Sequence, residues 1–263
     1  MQRHNKDNKW VWNTLIQRQL ALTKNYRSST WQKGFNKVKP VILTLPNLTK
    51  LSQTVSKQTD WEIVDKENKF IKDKEWFDLL KNRIFPITSY LRTPEQIDHA
   101  PKPDMLHEVF GHIPFLYDAT YTKVVDNLAT AYFSTPKKYR IGISRIWWYT
   151  LEWGYMRQNN KNVLLGAALY SSKLELIDSL PKQKNPFNLA EVFNTPKKMY
   201  GLQEKYFVAP SLKKINTAIE DYIEKINEND FDWVIRKNGN YSDEAKLFNP
   251  RKNLLKNKLD TDR

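Results

Sequence analysis

Two of the four histidines in this 263-residue chain lie five residues apart, in Pro103-Asp104-Met105-Leu106-His107-Glu108-Val109-Phe110-Gly111-His112-Ile113-Pro114. That spacing constrains the local backbone more than any other feature. A zinc protease of the His-Glu-x-x-His kind needs histidines four apart, so that successive helical turns aim both imidazoles at one ion with the glutamate as base. Five helical residues instead turn the second side chain about 140° from the first. Both can reach one metal only if the helix ends between them. Gly111 and Pro114 supply such an ending, since glycine is favoured just past a helix C-terminus and proline shortly after it. The spacing therefore predicts His107 on a last helical turn and His112 on the backbone leaving it.

The absence of cysteine excludes disulfides, thiolate catalysis and Cys-ligated zinc or iron-sulfur clusters. Any metal must then be held by histidine and carboxylate. Nine Trp, thirteen Tyr and twelve Phe are ample for a core, and no Gly/Ser-rich or Pro-rich linker divides the middle of the chain. One domain is expected over residues 9–230, between a flexible N-terminus (1–8) and a basic, partly disordered C-terminal extension (231–263). The first residues lack the apolar core of a secretory signal, and no later run approaches a membrane span, so a soluble cytoplasmic protein without membrane contact is expected. The formal net charge of +14 raises nucleic-acid binding as a function. Lysines are scattered, however, often beside Asn as in the polar turn Asn159-Asn160-Lys161-Asn162, and no nucleic-acid-binding motif appears. A solvated basic surface is the simpler reading.

Apolar periodicity predicts helices at 9–24, around Leu48, Leu51 and Val55, from Asp73 through Leu80, through Val124 to Tyr132, around Leu174 to Leu180, and through Ile215 to Ile226. Pro40 and Pro46 are expected to break the stretch before Leu48. Strands are expected near Trp61 to Asp65 and Phe85 to Leu91, and Val163 to Tyr170 fits a strand or a loop edge. Thr93-Pro94-Glu95 reads as a helix start. Ile141 to Met156 is apolar nearly all round and predicts one buried helix. The sum is a mainly α, single-domain protein with a few short peripheral strands.

Glu152 lies in that buried helix among aromatics, in Trp147-Trp148-Tyr149-Thr150-Leu151-Glu152-Trp153, and a buried carboxylate needs a cation. One solution is a salt bridge to Arg145 or Arg157. The other makes Glu152 a third metal ligand beside His107 and His112. Two imidazoles and one carboxylate on one face of an ion leave coordination sites open, as in non-haem Fe(II) oxygenases, and zinc hydrolysis can use the same ligands. The residues alone predict a mononuclear metal site and stop there.

Pro103-Asp104-x-x-His107-Glu108-x-x-Gly111-His112-x-Pro114, the aromatic helix with Glu152, and Gly166-Ala167-Ala168-Leu169-Tyr170-Ser171-Ser172 together resemble the pterin-dependent aromatic amino acid hydroxylases. The resemblance runs from about Trp10 to Ile226. It is nearest to the short bacterial phenylalanine 4-hydroxylases, whose pattern Phe77-Asp78-Leu79-Leu80-Lys81-Asn82-Arg83-Ile84-Phe85-Pro86 and Leu91-Arg92-Thr93-Pro94-Glu95 match. It implies Fe(II) held by His107, His112 and Glu152, a tetrahydropterin and O₂ as co-substrates, and conversion of L-phenylalanine to L-tyrosine. It further implies that Trp76 stacks on the pterin and that Glu108, also the catalytic candidate, hydrogen-bonds near it. Arg92 would grip the substrate carboxylate, a bidentate task suited to a planar guanidinium, with Asp104 orienting it and Ser171 assisting. Pro103 and Trp148 would line the aromatic pocket.

The sequence departs from the family pattern at His99 and Trp147, each in place of a usual Tyr, and at Ala100, Lys102 and Ala168. Glu204-Lys205 also interrupts a stretch usually reading Pro then apolar. These changes leave the implied iron ligands intact and bear on the amino-acid end of the pocket. Hydroxylation of tryptophan, or of phenylalanine at another ring position, is the alternative on the same iron. A basic nucleic-acid-binding protein with a structural histidine cluster is the alternative of a different class. A monomer is expected.

Overall fold

The computed structural model describes residues 6–67, 71–98, 100–199 and 201–242. Helix α1 (Lys6–Thr23) buries Val11, Trp12, Leu15, Ile16, Gln19 and Thr23, the three-to-four-residue recurrence of one helical face. In α2 (Ser29–Ile42) the Ser28 side chain accepts from the Trp31 backbone N–H and so starts the helix. Pro40, expected to break this stretch, sits instead in the last turn of α2. Near that end the Trp12 indole donates to the Ile42 carbonyl at 2.9 Å, satisfying a group the helix terminus leaves open.

Asn47 caps α3 (Leu48–Ser56). Strands β1 (Glu62–Asp65) and β2 (Ile84–Ile87) pair in parallel, joined by a crossover that contains α4 (Asp73–Lys81). Thr93-Pro94-Glu95 opens only a short 3₁₀ turn at Pro94–Gln96. Asp118 then caps α5 (Ala119–Ser134), a largely buried helix, and α6 (Arg140–Trp147) follows.

The apolar run Ile141 to Met156 is not one helix. It divides into α6, a π-turn at Trp148–Glu152 and strand β3 (Tyr155–Gln158). The Thr150 hydroxyl donates to the Ile146 carbonyl at 2.6 Å and competes for the acceptor that a regular α-turn would use. Strand β4 (Lys161–Leu164) returns antiparallel to β3 through Asn159 and Asn160, both at positive φ (49° and 60°), the backbone of a two-residue hairpin turn. Val163 to Tyr170 is likewise shared, between β4 and α7 (Ala167–Ser171). After α8 (Lys173–Ser179), β5 (Lys184–Pro186), α9 (Leu189–Asn194) and β6 (Tyr206–Ala209), the second sheet has the order β4-β3-β6-β5. Helix α10 (Leu212–Asn227) lays Ile215, Ile219, Tyr222 and Ile226 against the body, and the buried Asn127 of α5 donates to Asn216 at 3.1 Å.

The packed body runs on past residue 230. Val234 is buried, Asn194 donates to its carbonyl at 2.7 Å, and the buried Arg145 donates to the Phe193 and Asn240 carbonyls. The expected flexible start and basic tail lie outside the described residues at 1–5 and 243–263, whereas Lys6 to Asn8 already belong to α1. Among the described residues no helix is long and apolar enough to cross a membrane.

Candidate metal centre

Two wide turns build the site. In the first, His107–His112, the backbone N–H of Ile113 reaches the Glu108 carbonyl; in the second, that of Trp153 reaches the Trp148 carbonyl at 2.9 Å. Both are the i to i+5 bond of a π-helix, a form found mostly as single turns at functional sites. The expected helix end between the histidines is therefore absent. Widening the turn by one residue brings positions five apart to the same side without breaking the backbone, and the His107 and His112 rings lie 5.0 Å apart.

The first turn is held from behind. Trp31 stacks on Phe35 and on Tyr170, each at 4.7 Å, and donates its indole N–H to the Phe110 carbonyl at 2.9 Å. Gly111 rests on α7, where a Cβ would come within 2.8 Å of the Ala167 side chain and carbonyl. Only glycine allows that approach without a shift.

Glu152, at the end of the second turn, faces both imidazoles. Its Oε2 lies 3.3 Å from His107 Nε2 and its Oε1 lies 3.1 Å from His112 Nε2. One ligand atom from each of the three side chains falls within 4.8 Å of the others, a convergence no other His and carboxylate group makes among the described residues. The anticipated arginine partners go elsewhere: Arg145 donates to the Phe193 and Asn240 carbonyls, and Arg157 to that of Asn160. Ser171 Oγ stands 3.0 Å from His107 Nδ1 and fixes that ring.

Burial opposes ionisation of Glu152, but contact with His112 and His107 outweighs it and holds the carboxyl far below its usual range. Burial likewise opposes a charge on His107, yet Glu152 lifts it to about 9, while burial keeps His112 low. The trio thus holds a carboxylate that calls for one positive charge, which a divalent cation supplies on displacing the proton. Two neutral nitrogens and one carboxylate oxygen, set in a nearly dry cleft, are a donor set suited to Fe(II).

Beside the trio, Arg92 and Asp104 form a buried bidentate pair, with Nε to Oδ2 at 2.7 Å and Nη2 to Oδ1 at 3.1 Å. Asp104 also accepts from the His107 backbone N–H at 3.2 Å, which ties the arginine to the first turn. Glu108 is buried, burial pushes its carboxyl up to about 8, and its Oε2 has no partner among the described residues. The Trp76 indole nitrogen is similarly buried without a partner. Such orphaned polar atoms next to a metal-type cluster fit a site built to take a polar ligand. Trp76 meets the trio through Trp147, its ring 5.3 Å from that of Trp147, which in turn lies 5.9 Å from His112. Half-buried Trp148 donates to Gln203 Oε1 at 3.2 Å, and Pro103 is exposed.

Residues 2–259 match the model of the biopterin-dependent aromatic amino acid hydroxylases. The chain belongs to this family. It is 29% identical over 221 residues to phenylalanine-4-hydroxylase of Pseudomonas aeruginosa, covering 83% of this chain and 84% of that protein. Against phenylalanine-4-hydroxylase of Chromobacterium violaceum it is 31% identical over 227 residues, covering 83% and 74%. The crystal structure of Chromobacterium violaceum phenylalanine hydroxylase with bound iron(III) and 7,8-dihydrobiopterin superposes with a TM-score of 0.78 at 28% identity, covering 87% of this chain and 84% of that one.

Of the departures from the family pattern, Trp147 is the one that touches the cluster of this hydroxylase among the described residues. Lys102 places its ammonium 4.6 Å over the Tyr90 ring, Ala168 is buried in α7, and His99 lies outside the described residues. Trp147 donates its indole N–H to Glu152 Oε1 at 2.8 Å. Sequence reasoning did not assign Trp147 or Gln203 a role. For Trp147 a signal existed: it precedes Glu152 by five residues, the same step that separates the two histidines.

Proposed function

We propose that this protein hydroxylates L-phenylalanine to L-tyrosine, with Fe(II) and a tetrahydropterin as cofactors and O₂ as co-substrate. The observation that carries the reading is the convergence of His107, His112 and Glu152 on one point within a chain of this family. Bound iron and tetrahydropterin would supply the activation of O₂, one oxygen atom going to the ring and the other being reduced to the level of water with the two electrons the pterin gives up. The protein's part is to bind, orient and keep dry. His107, His112 and Glu152 hold the iron, with Ser171 fixing the His107 ring. Arg92, held rigid by Asp104, clamps the substrate carboxylate and aims the ring at the metal. Trp148, with Pro103 at the rim, walls the aromatic pocket. Trp76 offers a stacking face to the pterin, and the unpaired carboxyl of Glu108 is placed to hydrogen-bond its ring nitrogens.

The test is direct. Protein loaded with Fe(II) and given tetrahydropterin, O₂ and each aromatic amino acid in turn should form tyrosine from phenylalanine, and His107→Ala should form none. Unchanged turnover by His107→Ala would remove the ligand assignment. A different product would move the reading to tryptophan or to another ring position. We place the enzyme in the cytoplasm and as a monomer; a single sedimenting species of one chain mass would bear out the monomer.

A further inference from the structure

Trp147 donates a hydrogen bond to the candidate ligand Glu152, yet no part of the proposed reaction uses it. Three groups meet the Glu152 carboxylate: His107 Nε2 at Oε2, and both His112 Nε2 and Trp147 Nε1 at Oε1. They differ in what a cation does to them. The imidazole nitrogens exchange their contact with the carboxylate for bonds to the metal. An indole N–H neither ligates nor gives up its proton at any ordinary pH, and is a donor only. Its 2.8 Å bond to Oε1 is therefore one that a metal need not displace.

The surroundings leave the indole little freedom. Trp147 is 6% exposed at the end of α6, edge-on to Trp76 at 5.3 Å and to Phe77 at 6.2 Å, with the His112 ring 5.9 Å away. The second π-turn sets the remaining distance. Trp147 and Glu152 are separated by five residues, so the wide turn that places the ligand places its donor opposite it. Carboxylates bound to metals are commonly oriented by such outer hydrogen bonds.

We infer that Trp147 is a positioning residue for the metal site, whose indole N–H occupies Glu152 Oε1 and leaves Oε2 as the oxygen presented to the metal. A carboxylate held by one oxygen takes one coordination position rather than two. The positions left over stay open to the reactants.

This inference rests on the ligand assignment above, and Co(II) binding to the otherwise complete chain tests the two separately. Titration of metal-free protein with Co(II), followed by calorimetry and by the visible Co(II) absorption bands, reports affinity and coordination number without turnover. His107→Ala should abolish tight binding; if it binds as the parent does, the ligand assignment itself fails. Trp147→Phe removes the donor and should weaken Co(II) about tenfold or more, with lower absorption as Glu152 closes on the metal through both oxygens. A second variant carries benzothienylalanine at position 147, with sulfur in place of the N–H and the shape kept, and should behave like Trp147→Phe. Retention of parent affinity and spectrum by the benzothienyl variant would overturn the inference, whether or not Trp147→Phe folds, because ring packing alone would then suffice.

Discussion

Gly34 shows how finely single residues support the centre. A Cβ at this position on α2 would lie 1.7 Å from the Pro114 carbonyl oxygen, and Pro114 stands two residues past the end of the first π-turn. Backbone cannot yield as a flexible side chain can, so Gly34→Ala should cost about 3 kcal/mol. The expected fall in Tm is roughly 6–12 °C for a domain of this size, read by calorimetry on the metal-free protein. A different residue carries a pH dependence. Glu175 on α8 is buried, accepts from the Gln203 backbone N–H and the Tyr206 hydroxyl, and is raised by burial from 4.5 to about 7, with Asp178 adding to the rise and Lys182 opposing it. The folded chain therefore holds this proton more tightly than the unfolded chain does. Its contribution is complete below about pH 4.5 and is lost as pH rises through about 7, on the order of 3 kcal/mol in all. Glu175→Gln should remove that part of the slope, so urea midpoints at pH 5 and pH 8 should lie closer together in the variant than in the parent.

At the scale of elements, the segment between α9 and β6 meets the second π-turn at several points, among them the Pro196 carbonyl, which accepts from the Tyr149 hydroxyl, and the Gln203 side chain, which braces Trp148. Gln203 is buried, donates to the Lys198 carbonyl at 2.7 Å, and accepts from the Trp148 indole. Gln203→Leu would leave that half-buried indole N–H without its acceptor. The expected result is a KM for phenylalanine raised about tenfold, or ~1.4 kcal/mol, with Co(II) affinity unchanged. A parallel loss of Co(II) affinity would mean that Gln203 supports the whole turn rather than the pocket wall. Helices α1, α4, α5 and α10 were legible because their apolar residues recur at three- and four-residue steps on one face; α8 stands where Leu174, Leu176, Ile177 and Leu180 suggested it, but Leu174 and Ile177 are exposed and the buried face carries Glu175, Leu176 and Ser179. Strand β1 was legible through its alternation, and the grouping of His107, His112 and Glu152 through residue type and family pattern. Helix α2 was hidden by Pro40, which stands in its last turn, where the lost bond to the carbonyl four residues back interrupts no further turn of helix. The two π-turns were invisible for a deeper reason. Periodicity measures hydrophobic recurrence and carries no mark of a single widened turn, and the Thr150 hydroxyl that favours one acts only once the helix exists.

Across the whole molecule, the residues after α10 act as a clasp. Residues 231–242 bring Val234 and the Asn240 carbonyl back to α6 and α9, where Arg145 would otherwise be buried with one guanidinium arm lacking this acceptor. A chain ending at residue 230 should be less stable than one ending at residue 242 by about 3 kcal/mol, from lost apolar burial around Val234 and loss of the Arg145 bond to the Asn240 carbonyl. Equal urea midpoints for the two truncations would show that the clasp contributes nothing. The π-turns carry a consequence of another kind, for how such a chain can vary. His107 to His112 and Trp147 to Glu152 are rulers of fixed length, in which the residue count matters as well as the side chains between. Substitution inside either window, at Glu108, Gly111 or Trp148, alters a local contact and leaves the spacing intact. Loss or gain of a single residue would swing a ligand or its donor about 100° around the helix axis, so these two short windows are where insertions and deletions should be least tolerated.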